Sequence, residues 1–360
     1  MLLGPLLATL IVLAPGDDVA ARVAGSPPGT AFFLTAGTYH KLTIKPKDDM
    51  SFAGAQGTVL DGDDVAPRAF TGQGVSNVTI RGLRITRYRP PDTSAALDAI
   101  DSEGWIVEDN EVDHNSNGGA RAYGLRIGSR WTVRRNRIHD NGWVGISGYN
   151  ATDTVIESNE VYANPPAWFD DKIGEAANIK LYGCGRIVIR GNRVHDAPFR
   201  GIWIDTSQPD ITIEDNRVVN HGDAGIWFEV SYRGRIAGNY VERAGTRATD
   251  AGDWLRGGGI QVTNSPDVSV IDNVVVNSHS GIIGLQASGY KDGPYGKAQL
   301  RNLLVQGNTI VAPTGQSGIT QNTGSNEVFT SWNNRFVNNR YDVSGNPTPF
   351  RWMNGSAPPR

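Results

Sequence analysis

One asparagine, returning at a fixed place in a short apolar pattern, constrains this chain more than any other feature. The pattern is apolar, any, apolar, any, any, Asn, any, apolar. It fits Trp105/Val107/Asn110/Val112, Trp131/Val133/Asn136/Ile138 and Thr154/Ile156/Asn159/Val161. It returns at Ile187/Ile189/Asn192/Val194, Ile211/Ile213/Asn216/Val218 and Gly234/Ile236/Asn239/Val241. Three further copies are Val268/Val270/Asn273/Val275, Leu303/Val305/Asn308/Ile310 and Phe329/Ser331/Asn334/Phe336. An earlier copy, Val78/Ile80/Leu83/Ile85, has leucine in the asparagine slot.

Short runs alternating with period two and broken by Asn and Gly read as strand, turn, strand, turn. Leucine-rich repeats have a similar period, but they carry a leucine framework that is missing here. Asparagine suits the turn because it tolerates the left-handed conformation, and its amide can bond to the same amide one coil away. Coils about 4.8 Å apart cannot bury their inner faces alone, so they must stack. The expected fold is all-β: a single-stranded parallel β-helix of about ten coils over residues 16–345. Alternation points Trp105 and Trp131 into its core.

The ends are less regular. Residues 1–15 read either as the apolar part of a signal peptide or, through Ile11, Val12 and Leu13, as the first strand. Asp17 to Ala24 reads as a short capping helix with Asp17 near its cap. Residues 346–360, rich in Pro and Gly, read as a tail.

Composition then excludes several classes. The chain carries 34 basic and 37 acidic residues for a net charge of −3, so it lacks the basic excess that nucleic-acid binding needs. A lone Cys184 rules out an internal disulfide framework and a cysteine-based zinc site. No apolar run reaches the roughly 18 residues of a spanning helix. No glycine-rich phosphate loop opens a helix, so no nucleotide cofactor is expected.

The repeats resemble the right-handed parallel β-helix repeat family, the superfamily of pectate lyases, polygalacturonases and alginate lyases, over roughly residues 30 to 345. The opening Pro28-Gly29-Thr30, Ala36-Gly37-Thr38-Tyr39 and Val59-Leu60-Asp61-Gly62 resembles the start of many bacterial members. The resemblance implies a secreted or cell-surface bacterial protein whose partner is a polysaccharide or oligosaccharide. Such motifs specify fold far better than activity.

A second repeated strand carries the chemistry. Its copies include Gly124-Leu125-Arg126-Ile127, Gly145-Ile146-Ser147-Gly148-Tyr149 and Asn178-Ile179-Lys180-Leu181-Tyr182. They continue as Gly201-Ile202-Trp203-Ile204-Asp205, Gly225-Ile226-Trp227-Phe228-Glu229 and Gly259-Ile260-Gln261-Val262-Thr263. Stacking puts Arg126, Ser147, Lys180, Trp203, Trp227 and Gln261 in one outward column. Tyr149, Tyr182, Asp205, Glu229 and Thr263 form the next. Longer intervals at about 164–178, 244–257 and 284–300 raise loops beside this face, and they carry Trp168, Glu175, Trp254, Tyr290 and Tyr295.

Two carboxylates on adjacent coils, Asp205 and Glu229, cannot easily both ionise, so one should titrate high and serve as general acid. Separations of roughly 5–5.5 Å suit retaining glycoside hydrolysis and roughly 6.5–9.5 Å suit inversion. Trp203, Trp227, Tyr149, Tyr182, Arg126, Gln261, Trp168 and Trp254 would hold the sugar. Glycoside hydrolysis is the leading expectation. The alternatives are a uronate lyase or epimerase using Lys180 with Tyr149 or Tyr182 and Arg126, and a non-catalytic glycan-binding scaffold. No cofactor is expected, with a calcium ion or a Lys180–Asp205–Glu229 ion-pair network as the other uses of the carboxylates. The Glu175 to Lys180 stretch is similar to one class of alginate lyases, although Trp203 and Asp205 stand where that class places an arginine. The pattern Gly-Ile-Trp-x-Asp and Gly-Ile-x-x-Glu-x-Ser, ending here at Asp205 and Ser231, is similar to other bacterial β-helix proteins. His139 and His195 share one slot with Asp113 and Tyr162 and read as a solvated turn column without a third metal ligand.

Overall fold

The computed structural model describes residues 9–116, 118, 120–165, 174–248 and 257–353. The chain winds through three parallel sheets in turn, of 13, 12 and 11 strands, each strand pairing with its equivalents one coil before and one coil after. This is the expected parallel β-helix. It has more coils than ten, because the opening coils, with strands at Ala31–Leu34 and Ser51–Gly54, precede the asparagine-marked copies. Leu10–Leu13 pairs with Ala31–Leu34 as the first strand of the first sheet. The helix is Val19–Gly25, and its cap is Asp18, whose side chain accepts from the Ala21 amide. Asp17, next to that cap as expected, accepts from the Ala14 amide.

Inward alternation fills a single core from Leu13 to Phe336. Trp105 and Trp131 lie in it, stacked with ring centroids 5.0 Å apart. At the turn between the first two sheets the asparagines form a continuous ladder. Asn192 shows the unit: its amide nitrogen donates to Asn216 Oδ1 at 2.9 Å and to the Ile156 carbonyl at 2.9 Å. Its own Oδ1 accepts from the side chain of Asn159 at 3.0 Å and the backbone of Asn159 at 2.9 Å. Every polar group of this buried side chain is therefore satisfied within the stack. The ladder begins at the Leu83 backbone amide, which donates to Asn110 Oδ1.

Its far end corrects the expected register. Asn308 bonds Asn339, not Asn334, at 2.9 Å, and Val305 pairs with Phe336. The last copy is thus Asn334/Phe336/Asn339/Tyr341, five residues later than the pattern suggested. Asn334 instead holds the Leu303 amide and the Leu300 and Val328 carbonyls around the short helix Glu327–Thr330.

A second amide ladder, not anticipated, runs between the second and third sheets through Asn115, Asn141, Asn164 and Asn178. Its first three members lie five residues after those of the first ladder, which is the sequence signal that marks them. It ends at buried His221, whose Nε2 accepts from Asn178 Nδ2 and whose pKa burial drives down to about 3. The His column also differs from expectation. His139 and His195 are buried in the second sheet, stacked on the two faces of Tyr162 at 4.5 and 4.8 Å. Glu111, Asp113 and His139 do converge to within 4.8 Å. Arg84 grips Asp113, and Arg137 donates to Glu111, so guanidinium groups already supply the positive charge there.

Glycine recurs at or next to the start of several third-sheet strands for a steric reason. A Cβ on Gly201 would lie 2.5 Å from the Gly225 carbonyl oxygen, and one on Gly225 would lie 2.8 Å from that of Gly259. Adjacent coils close on each other at this corner, and only glycine leaves room. The strands that follow carry the outward columns.

Candidate active site

The register aligns Arg126, Ser147, Lys180, Trp203, Trp227 and Gln261 as one row of partners, with Asp98 preceding Arg126. Tyr149, Tyr182, Asp205, Glu229 and Thr263 form the row beside it. Both rows stand as expected, but their two halves differ in access.

Toward the N-terminal coils lies an open cavity of about 400 Å³. Its lining includes Arg126, Tyr149, Glu175, Lys180 and Tyr182, with Trp143 and Tyr123 behind them. Tyr149 and Tyr182 stack at 5.5 Å and are 51% and 40% exposed. Burial raises the Tyr182 phenol above its usual pKa, and the charges of Asp205, Tyr149 and Glu175 push the same way. Arg126 is fixed by Asp98 at 2.8 Å. Lys180 meets Glu175 at 2.7 Å, Asp205 at 3.2 Å and the face of Trp203 at 3.6 Å from the ring centroid. The ammonium group is thus held by two carboxylates and an indole face.

Toward the C-terminal coils the face is closed. Trp203 and Trp227 stack on each other at 4.9 Å and are 4% exposed. Arg200 lies over both rings. They are not open platforms for a sugar, which corrects their expected role. Gln261 is likewise fully buried and cannot reach a ligand from the surface. Glu229 is buried beneath them, with Oε2 accepting from Trp203 Nε1 at 2.9 Å and Oε1 accepting from the Tyr290 hydroxyl. Burial pushes the Glu229 carboxyl up to about 7, the Asp205 charge adds to the rise, and Tyr290, Trp203 and Lys180 oppose it. The expected ion-pair network is thus only partial: Lys180 bridges to Asp205, while Glu229 is held by hydrogen bonds.

Tyr290, Arg200 and Glu175 belong to the site although none stood in the two columns. Glu175 and Tyr290 sit on the interruptions of the repeat, where the sequence already placed them beside this face; Arg200, immediately before Gly201, was not singled out by its spacing. Ser231 holds the frame together. Its hydroxyl accepts from the Ser207 amide at 2.9 Å, and its own amide donates to Ser265, forming a small serine ladder past the site. Trp168 and Trp254, two of the expected sugar contacts, lie outside the described residues.

Fold and face together define a parallel β-helix with a cationic, tyrosine-walled cavity on one sheet. The chain belongs to the right-handed β-helix proteins: the family described as "Right handed beta helix region" matches residues 69–241. The family described as "Periplasmic copper-binding protein (NosD)" matches residues 170–357. Similar solved structures include the A-module of mannuronan C-5 epimerase AlgE4 from Azotobacter vinelandii, 17% identical with a TM-score of 0.62, covering 93% of this chain and 91% of that one. A mannuronic acid-specific polysaccharide family 6 lyase from human gut microbiota is 12% identical with a TM-score of 0.58, covering 92% and 83%. The DFA-IIIase of Arthrobacter chlorophenolicus A6 is 13% identical with a TM-score of 0.51, covering 76% and 89%. At these identities the likeness is one of fold. No curated protein sequence matches the chain.

Proposed function

We propose that the chain acts on an acidic polysaccharide by removing the proton next to a uronate carboxylate, as a lyase or an epimerase. The observation that carries this reading is the cavity lined together by Lys180, Arg126, Tyr149 and Tyr182. Removing the C5 proton sends negative charge onto the carboxylate, and fixed cations at that point lower the barrier. Lys180 and Arg126 are those cations. Tyr149, exposed in the cavity beside Tyr182, is the base that takes the C5 proton. Tyr182, which burial keeps in its protonated form, donates to the departing oxygen. In elimination the C5–H electrons become the C4=C5 double bond, and the C4–O4 pair leaves with the oxygen, which takes the proton. In epimerisation the C4–O4 bond stays and a proton returns to C5 from the other face. The names of the AlgE4 epimerase and the mannuronate lyase support a substrate of this class.

Hydrolysis by Asp205 and Glu229 is the second reading, favoured by the Glu229 carboxyl at about 7, where it can act as a general acid. It requires Tyr290 and Trp203 to release the two oxygens they now occupy. A calcium ion at this pair faces the same competition from those donors. Copper, which the NosD description names, does not fit: among the described residues the clusters of three metal-capable groups are His40/Asp61/Asp63 and Glu111/Asp113/His139, both outside the matched stretch. Cys184 is sealed in the core. The periplasmic description of that family, together with the substrate class, supports a location outside the cytoplasm.

A panel of acidic and neutral polysaccharides in deuterated buffer tests these readings. Ultraviolet absorbance from unsaturated uronate supports elimination. Deuterium at C5 without chain cleavage supports epimerisation. Reducing ends without either signal overturn the proposal in favour of hydrolysis, and binding without chemistry leaves a scaffold.

A further inference from the structure

Among the described residues that line the cavity, Glu175 is the only carboxylate. Of the other acids near its cations, Asp98 behind Arg126 and Asp205 beside Lys180 are largely buried, with side-chain exposures of 5% and 15%, and Asp92, which pairs with Arg121, does not line the cavity. Glu175 differs: its side chain is 48% exposed, yet Oε2 sits 2.7 Å from Lys180 Nζ. It also lies just before the strand Ala177–Tyr182 and outside its ladder of backbone pairs. Water competes for the Glu175 side of this pair, whereas the Lys180 side is buried, so Glu175 is the partner that a ligand can exchange. Lys180 keeps Asp205 and the Trp203 ring when Glu175 leaves.

From this geometry we infer that Glu175 is a resident stand-in for the ligand's carboxylate. It occupies the accessible side of Lys180 until an anionic sugar displaces it, and so sets affinity and charge selectivity at the cavity. The inference rests on the acidic-saccharide reading. A neutral sugar gains nothing from expelling Glu175, since Lys180 would lose one carboxylate and receive none. A uronate restores the pair and adds contact with Arg126. Glu175 therefore competes with a bound uronate alone, and keeps Lys180 paired while no anionic sugar is present.

The test is calorimetric titration of the full chain with tetramannuronate, tetragalacturonate and neutral cellotetraose, using wild type, Glu175→Gln, Glu175→Ala and Lys180→Met. With the competing charge gone, Glu175→Gln and Glu175→Ala should both bind a uronate roughly two- to fivefold more tightly. Cellotetraose binding should not change, and the gain should shrink in high salt. Weaker or unchanged uronate binding in both variants overturns the inference and makes Glu175 a positioning residue for Lys180. Tighter binding of neutral and acidic sugars alike also overturns it, because Glu175 would then be a steric plug. Loss in Glu175→Ala with rescue in Glu175→Gln points to hydrogen-bonded positioning and is likewise fatal. If wild type binds no uronate, or binds it no better than Lys180→Met does, the acidic-saccharide reading itself falls, and this inference with it.

Discussion

Between the first and second sheets, the chain sets the same residue in the same slot on nine successive coils, from Asn110 to Asn339. On the outer face of the third sheet, Arg126, Ser147, Lys180 and Trp203 occupy one slot on four successive coils, and no two are alike. The stacking geometry is common to both regions. What differs is whether a residue's best partner is its own copy. An amide both donates and accepts, so identical amides satisfy each other without end. A lysine above a lysine would repel, so the charged column must change from coil to coil, and every change creates a distinct local environment. Repetition builds the frame, and broken repetition makes places where a ligand can be told from water.

The largest effect that would sharpen this contrast is on the irregular side. Lys180→Ala should lower turnover of a uronate substrate by about 10²–10⁴-fold, and should also lower the melting transition, because it leaves the largely buried Asp205 without its cation. Full activity in that variant, measured by unsaturated-uronate absorbance, would remove the column's central residue from the chemistry.

Glu229 provides a stability readout. Its carboxyl rises from an ordinary 4.5 to about 7 on folding, so the folded state binds the proton more tightly than the unfolded chain does. Its contribution is complete below about pH 4.5 and fades as pH rises through about 7. Glu229→Gln should flatten that part of the stability–pH curve, a relative change of roughly 2–3 kcal/mol between pH 5 and pH 8. Parallel curves for variant and wild type would mean that Glu229 ionises freely.

On the regular side, Asn192→Leu should cost on the order of 1–3 kcal/mol, because it strands the amides of Asn159 and the carbonyl of Ile156. Denaturant midpoints check this, and an unchanged midpoint would show that the ladder is dispensable there. The smallest effect on binding and stability belongs to Tyr149→Ala, which removes an exposed ring stacked on Tyr182. It should weaken sugar binding by about tenfold or less and leave the melting transition unchanged, while turnover, which uses that phenol as the base, falls as far as in Lys180→Ala.

The frame was legible because it is periodic: the inward apolar pattern and Asn110 through Asn308 give the strands and their register without reference to any loop. The register slipped only at the end, where Asn333 and Asn334 precede Asn338 and Asn339, and two candidate asparagines, Asn334 and Asn339, compete for one slot at intervals that both fall within the range of the ladder. In the site, both outward rows could be read from alternation. Access could not. Nothing in the spacing of Trp203 and Trp227 shows that Arg200 covers them, since that depends on where a long side chain folds back. Nor does it show that Tyr290 reaches across 61 residues of sequence to Glu229.

The unequal spacing of the ladder has a further consequence. Successive rungs are separated by as few as 23 and as many as 35 residues, yet their side-chain bonds stay between 2.9 and 3.1 Å. Added residues leave and rejoin the coil without shifting the next rung. A wall of the cavity can therefore be lengthened, shortened or exchanged between related chains as a self-contained cassette. The segment between Asn159 and Asn192 is such a cassette, and grafting it onto the corresponding coil of another β-helix would carry Glu175, Lys180 and Tyr182 along without rethreading the host.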